Sequence, residues 1–407
     1  MMQYGRVAIG VLLAAAVCSP ALAAPAASAG PEKRFDVDLS GTVQYDSDLP
    51  RVSAAEAALR HESLGDTTYR PALDFVTMWP IGRQAVFLNG SVGYAYHDKN
   101  TILDSERISL DGGGSLKVAS CESQLDLNYL RGLTDFEDLT STAIIKNIQE
   151  TKRVGLTANC VRPTGLGVSL SGSHEEANND TALLRVQDHN SDTISGGLTY
   201  SRPALGAFTL FANHTRTEFP NRNIQGLGTD GYVSKAAGLT IDRHLGARIE
   251  GTITVSYSEV KSLVRNPAVP SSNFSGPTYS ALVKYRPLRK LETDLLAERS
   301  IVPSNRIGNN YDIASRYRLS GSYDLGRRFH LHAGGEHRDI DSRSSLSSPV
   351  NVLTHSRTNS GFVGVKYDLG RRVFVGLDVI QEERKTNLPL LFDYTNTEVA
   401  LSAHLRY

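Results

Sequence analysis

The 407-residue chain holds three cysteines, three methionines and one tryptophan, and its formal net charge is zero, with 43 basic and 43 acidic side chains. So few cysteines exclude a disulfide-dense miniprotein, and the balanced charge excludes a supercharged nucleic-acid binder. Long apolar runs are also missing. The longest, Val7–Val17, falls short of the roughly 18 residues a spanning helix needs, so the chain is not a helical membrane protein. Nucleophile elbows, Walker loops, HExxH and CxxC are absent too, and no catalytic, cofactor-binding or metal-binding residue is singled out.

The apolar run has another reading. Arg6 supplies a positive start, Val7–Val17 an apolar centre and Ala21-Leu22-Ala23 a small-residue cleavage site. Residues 1–23 are therefore expected to be a secretory signal peptide. Val17 stands where lipidation at Cys18 would want a small residue. Residues 24–34 read as a flexible lead-in, leaving 35–407 as one unit.

What that unit has is alternation. Ala247, Ile249, Gly251, Ile253, Val255 and Tyr257 are mostly apolar, whereas Arg248, Glu250, Thr252, Thr254 and Ser256 are polar. Period two means a strand with two unlike faces. Turns rich in Gly, Pro and Arg recur, among them Arg286-Pro287-Leu288-Arg289 and Asp-Leu-Gly-Arg-Arg, which occurs twice, from Asp324 and from Asp368. Longer polar segments such as 175–189, 261–273 and 342–352 separate them.

Strands of about 11–15 residues exceed the usual soluble length and suit a bilayer crossed at a tilt. Short turns on one side, longer loops on the other and two-faced strands describe an outer-membrane barrel, closed because lipid cannot satisfy an open edge. The expected fold is all-β: a transmembrane antiparallel up-and-down barrel of about 18 strands, both termini on the periplasmic side. Sixteen is the competing count, because the stretch 105–117 contains three consecutive glycines. Val399, Leu401, Ala403, Leu405 and Tyr407 give the last strand an apolar face ending on an aromatic. Val399, Leu401, Leu405 and Tyr407 thus form a candidate C-terminal signal for the barrel-insertion machinery.

Three further features stand out: Gln44-Tyr45-Asp46-Ser47-Asp48, the paired Tyr-Asp-Leu-Gly-Arg-Arg turns, and Arg384-Lys385-Thr386-Asn387 with 392–398. On these the chain resembles the putative beta-barrel porin 2 family of Gram-negative bacteria. Leu49 departs from the family, which usually has Asn after the acidic pair. The resemblance implies an outer-membrane location, outer-membrane lipids as surroundings, and a role beside exopolysaccharide and its export-system proteins. No nucleic-acid partner is expected.

Parity nominates a lumen. Arg248, Glu250, Glu292, Asp294, Arg316, Arg318, His330, His332, Glu336 and Arg338 share the face opposite the apolar residues, and their signs are mixed. That argues against a single-sign ion filter and suits water and polar solutes. His174-Glu175-Glu176 and Asp188-His189 flank one expected loop. Tyr323, Tyr367 and Tyr407 suit an aromatic girdle. Cys121 and Cys160 are expected to form a disulfide. A hairpin centred between them sets them opposite each other and pairs Leu125 with Leu156 and Leu127 with Val154. The leading function is a non-enzymatic barrel for exopolysaccharide export or polar-solute passage. A general or nutrient-uptake porin is the second reading, and an outer-membrane hydrolase or acyltransferase the third.

Overall fold

The computed structural model describes residues 33–407 except 62, 120, 135–145, 162–163, 225–227, 246–247, 265–272, 305, 307–308 and 344–352. The expected signal peptide and most of the lead-in lie outside the described residues, as do the middle of the hairpin expected between Cys121 and Cys160 and those of the segments 261–273 and 342–352.

Among the described residues there are eighteen strands: β1 (Arg34–Asp46), β2 (Asp66–Ile81), β3 (Gln84–His97), β4 (Ser105–Val118), β5 (Cys121–Leu133), β6 (Ile148–Cys160), β7 (Gly165–Asn179), β8 (His189–Arg202), β9 (Gly206–Ile224), β10 (Gly228–Leu245), β11 (Ile249–Ser262), β12 (Phe274–Leu288), β13 (Leu291–Pro303), β14 (Tyr311–Leu325), β15 (Phe329–Arg343), β16 (His355–Asp368), β17 (Val373–Thr386) and β18 (Tyr394–Arg406). Each pairs antiparallel with the next, and β1 pairs with both β2 and β18, closing the barrel without an edge. The triple-glycine stretch is a strand after all: Gly112, Gly113 and Gly114 pair with β3 and β5. A Cβ on Gly113 would lie 2.2 Å from the Leu125 carbonyl oxygen, so the absent side chain there is what lets the ladder form.

Short turns stand at one end of the barrel and long connections at the other. Helix α1 (Ala54–Arg60) lies in the first long connection and α2 (Pro389–Phe392) in the last. Their segments meet, since Ser53 Oγ donates to the Leu390 carbonyl and the Ser53 N–H to that of Leu391, 3.0 Å away.

The faces divide as the alternation requires. Leu39, Val43, Leu73, Val92, Leu125, Leu156, Leu198, Leu210, Ile253, Val255, Leu319, Val363 and Leu401 are exposed on the outside, where only a bilayer can cover them. Val399, Leu405 and Tyr407 continue that face to the chain's end. Cys121 and Cys160 lie opposite each other in register, on the face shared by Leu125 and Leu156, and are joined by a disulfide.

The family-marking segments at the two chain ends are assembled into one clasp. The Asn396 amide accepts from Ser47 Oγ (3.1 Å) and the Asp48 N–H (2.9 Å) and donates to Asp46 (3.2 Å). Gln44 donates to Asp46 at 2.9 Å and accepts from Arg70 of β2. Gln44, Asp46, Arg384 and Asn396 are all buried. The first and last strands are thus joined by buried polar groups as well as by the backbone ladder.

Candidate functional site: the lumen and its bridged mouth

Two stretches of the inner wall differ in character. From β8 to β12 its middle is lined by hydroxyls that bond across strands: Thr193 with Thr215 (3.0 Å), Thr199 with Thr209 (2.8 Å), Thr240 with Thr254 (3.0 Å) and Ser256 with Thr278 (2.8 Å). These are non-ionic groups whose hydrogen-bonding needs are partly met by each other.

From β13 round to β1 the wall is charged and internally paired, and most of the residues nominated by parity stand here. Arg316 bonds Glu336 at 2.8 Å, and Arg318 lies 5.1 Å over the Phe362 ring. Arg338 stands opposite Arg316 and Thr358 in register. His330 sits between Asp324 (2.7 Å) and Asp368 (3.0 Å). His332 reaches past β16 to Asp378 at 2.7 Å, and a Cβ on Gly364 would lie 2.1 Å from that carboxylate, so glycine opens the path. Near the short turns Glu292 pairs with Arg286 (2.7 Å) and Lys284 (3.5 Å), Asp294 lies 4.0 Å from Lys284, and Glu250 lies 3.5 Å from Arg286. One assignment needs correction. Arg248 is an exposed turn residue, because the ladder of β11 begins only at Ile249.

The residues flanking the fourth long connection are divided between faces. His174 bonds Asp192 at 2.7 Å on the exposed side, whereas Glu175 lies 4.0 Å from the buried His189. Asp339, Asp341 and His355, not singled out by sequence reading, meet near the long-loop rim. Arg357 already lies 3.4 Å from Asp339, so the group is an ion-paired patch.

The feature that parity could not show is at the long-loop mouth. The β12–β13 ladder stops at Tyr279–Arg299, although β12 continues to Phe274 beside β11 and β13 continues to Pro303 beside β14. Beyond this parting, Tyr311 and Ile313 share the face of the bilayer-exposed Tyr317 and Leu319, yet they are buried. Their partners are Phe219, Tyr232 and Val260 of β9–β11, and the Tyr232 and Tyr311 rings are 5.2 Å apart. Phe219, Tyr232 and Val260 alternate with exterior positions and so face inward. An outward face packed on an inward face means that the end of the β13–β14 hairpin lies inside the wall formed by β9–β11.

Polar contacts fasten this bridge. Arg222, on the part of β9 that outruns β8, donates to the carbonyls of Val186 and Asn309, to Asn310 Oδ1 at 3.2 Å and to Gln187. Its guanidinium is 3.6 Å from Asp230, which accepts from Asn310 at 3.0 Å. On the far side Arg306 donates to Ser342 and Ser356, both at 2.8 Å. All of these side chains are buried, so the bridge is a packed element with its own apolar core.

A closed antiparallel barrel with a bilayer-suited exterior, a polar interior and an inward-set hairpin is a porin-like outer-membrane barrel. The chain belongs to the family described as Putative beta-barrel porin 2, whose model matches residues 37–407. Among solved structures it is similar to OccK2 (OpdF) of Pseudomonas aeruginosa in complex with glucuronate, at 11% identity and a TM-score of 0.47, covering 92% of this chain and 98% of that one. It is similar also to OccAB3 of Acinetobacter baumannii, at 9% identity and a TM-score of 0.47, covering 92% of this chain and 100% of that one. A comparison with curated proteins finds no match.

Proposed function

We propose that the barrel is a non-enzymatic channel for hydrated polar solutes, narrowed at the long-loop mouth by the β13–β14 bridge. The observation that carries this reading is the burial of Tyr311 and Ile313 against the inner wall, which places a hairpin across a polar lumen. Below it, hydroxyls and mutually paired charges offer a solute hydrogen bonds of both kinds without a net field of one sign. Export of an exopolysaccharide strand, which the family resemblance implies, is traffic of this type and is the route we favour.

Planar-bilayer recording tests both levels. The wild-type barrel conducts in small steps, and Arg222→Ala enlarges them by loosening the bridge. Added polysaccharide from the producing strain blocks the current from the short-turn side. Equal conductance in wild type and Arg222→Ala would remove the bridge as the constriction. A current indifferent to polysaccharide would leave a channel for small solutes.

A further inference from the structure

The chain is neutral overall, yet its charge is unevenly placed. The eight short connections between strands hold nine lysines and arginines and no aspartate or glutamate. The nine connections at the other end, eight long ones and the three-residue link 225–227, hold more acidic than basic side chains. Arg83, Arg248, Arg289, Arg328 and Arg372 of the short turns are all exposed. They make a positive ring at one mouth only.

Contacts show which way part of this ring faces. Arg372 lies 5.3 Å over the Tyr407 ring and Arg328 donates to the Tyr367 hydroxyl at 3.4 Å; Arg202, the last residue of β8 beside a short turn, lies 5.7 Å over the ring of Tyr200. All three tyrosines stand on the bilayer-facing side, Tyr407 being 84% exposed. Tyrosine at this level belongs to the interface between hydrocarbon and headgroups. Arginines held against such rings lie at headgroup depth, outside the lumen. A guanidinium there presents paired N–H donors to phosphate oxygens.

We infer that the short-turn rim is a binding collar for anionic phospholipid headgroups of the adjoining leaflet, the arginines receiving phosphate and the tyrosine girdle setting their depth. The collar is independent of what crosses the lumen. A soluble polyanion approaching the mouth is the rival partner, but it gives no reason for arginines to lie against the bilayer-facing tyrosines.

The chain carries its own reporter, because Trp79, its single tryptophan, is exposed on the outer face two residues before the end of β2. Wild-type protein would be folded into phosphatidylcholine bilayers containing either brominated phosphatidylglycerol or brominated phosphatidylcholine at equal fraction. Quenching of Trp79 should favour the anionic lipid by about threefold or more at low salt. The preference should fall to about one in 1 M KCl, where screening is nearly complete. It should also fall to about one in Arg83→Gln/Arg371→Gln/Arg372→Gln, while Arg216→Gln at the opposite rim keeps it. The wild-type salt series stands even where the triple variant folds poorly, as read by its heat-modifiable mobility. Equal quenching by the two lipids in wild type, or a preference that survives both salt and substitution, overturns the collar. So does arginine-dependent capture of soluble alginate without lipid selectivity, which would assign the ring to a soluble polyanion.

Discussion

At the scale of single residues, the two faces of β11 give the simplest contrast. Ile253 is exposed to the bilayer, while Thr252 is half-buried on the lumen side. Ile253→Arg should destabilise the folded barrel by about 2–4 kcal/mol if the site is near the midplane. Thr252→Arg should cost far less and change conductance, and urea unfolding in lipid vesicles measures both. Equal losses would contradict the parity. Thr254, the next inward position, would be a poorer probe, because its hydroxyl is buried against Thr240. Arg222→Ala removes the cation beside Asp230 and the donor to two carbonyls at once. Breaking a buried pair from one side costs about 3–5 kcal/mol. Here the loss should be local, seen as protease sensitivity near 304–310 with the rest of the barrel intact.

Among elements, the β13–β14 hairpin decides the width of the mouth. Asp230 and Asn310 are 3.0 Å apart through their side chains. Asp230→Cys/Asn310→Cys, bridged by a short bifunctional methanethiosulfonate reagent, should hold conductance at its lowest level, and reduction should enlarge the steps beyond the parent's, because the substitutions also remove the partners of Arg222. The parent barrel, reduced in parallel, controls for its native bridge. That native Cys121–Cys160 bond ties β5 to β6 beside the short turns. In the chain-entropy model, closing a loop of this size contributes roughly 4 kcal/mol. Its removal should slow assembly, read by the appearance of the heat-modifiable form, more than it lowers the final yield.

On the scale of the whole molecule, the sidedness follows from turn length. Cysteines placed at 346 should react with membrane-impermeant reagents on intact cells, and cysteines at Arg371 should not; the reverse pattern would invert the barrel. Much of this fold was legible because a barrel writes one rule on every strand: Ile253 and Thr254 alternate, and so do Leu401 and Ser402. The pairing of Cys121 with Cys160 was legible for the same reason, since one hairpin centre sets the whole register. The bridge was not. Tyr311 and Ile313 obey the alternation of lipid-facing residues, and nothing local distinguishes an apolar side chain that meets lipid from one that meets Tyr232. Their burial depends on where the β12–β13 ladder ends, a contact between segments about 80 residues apart. The charged wall shows the same limit. Parity nominates His332, but only the gap at Gly364 lets it reach Asp378 across an intervening strand.

The clasp between β1 and β18 has a consequence for biosynthesis. Asp46 and Ser47 find Asn396 only after some 350 intervening residues have been made, exported and laid side by side. A ribosome that stops early yields a sheet lacking the amide that its first strand needs, whatever the quality of the other sixteen strands. Closure therefore works as a proofreading step on length. A chain that ends before Asn396 should be left with the β1 edge unpaired, where proteases find exposed backbone.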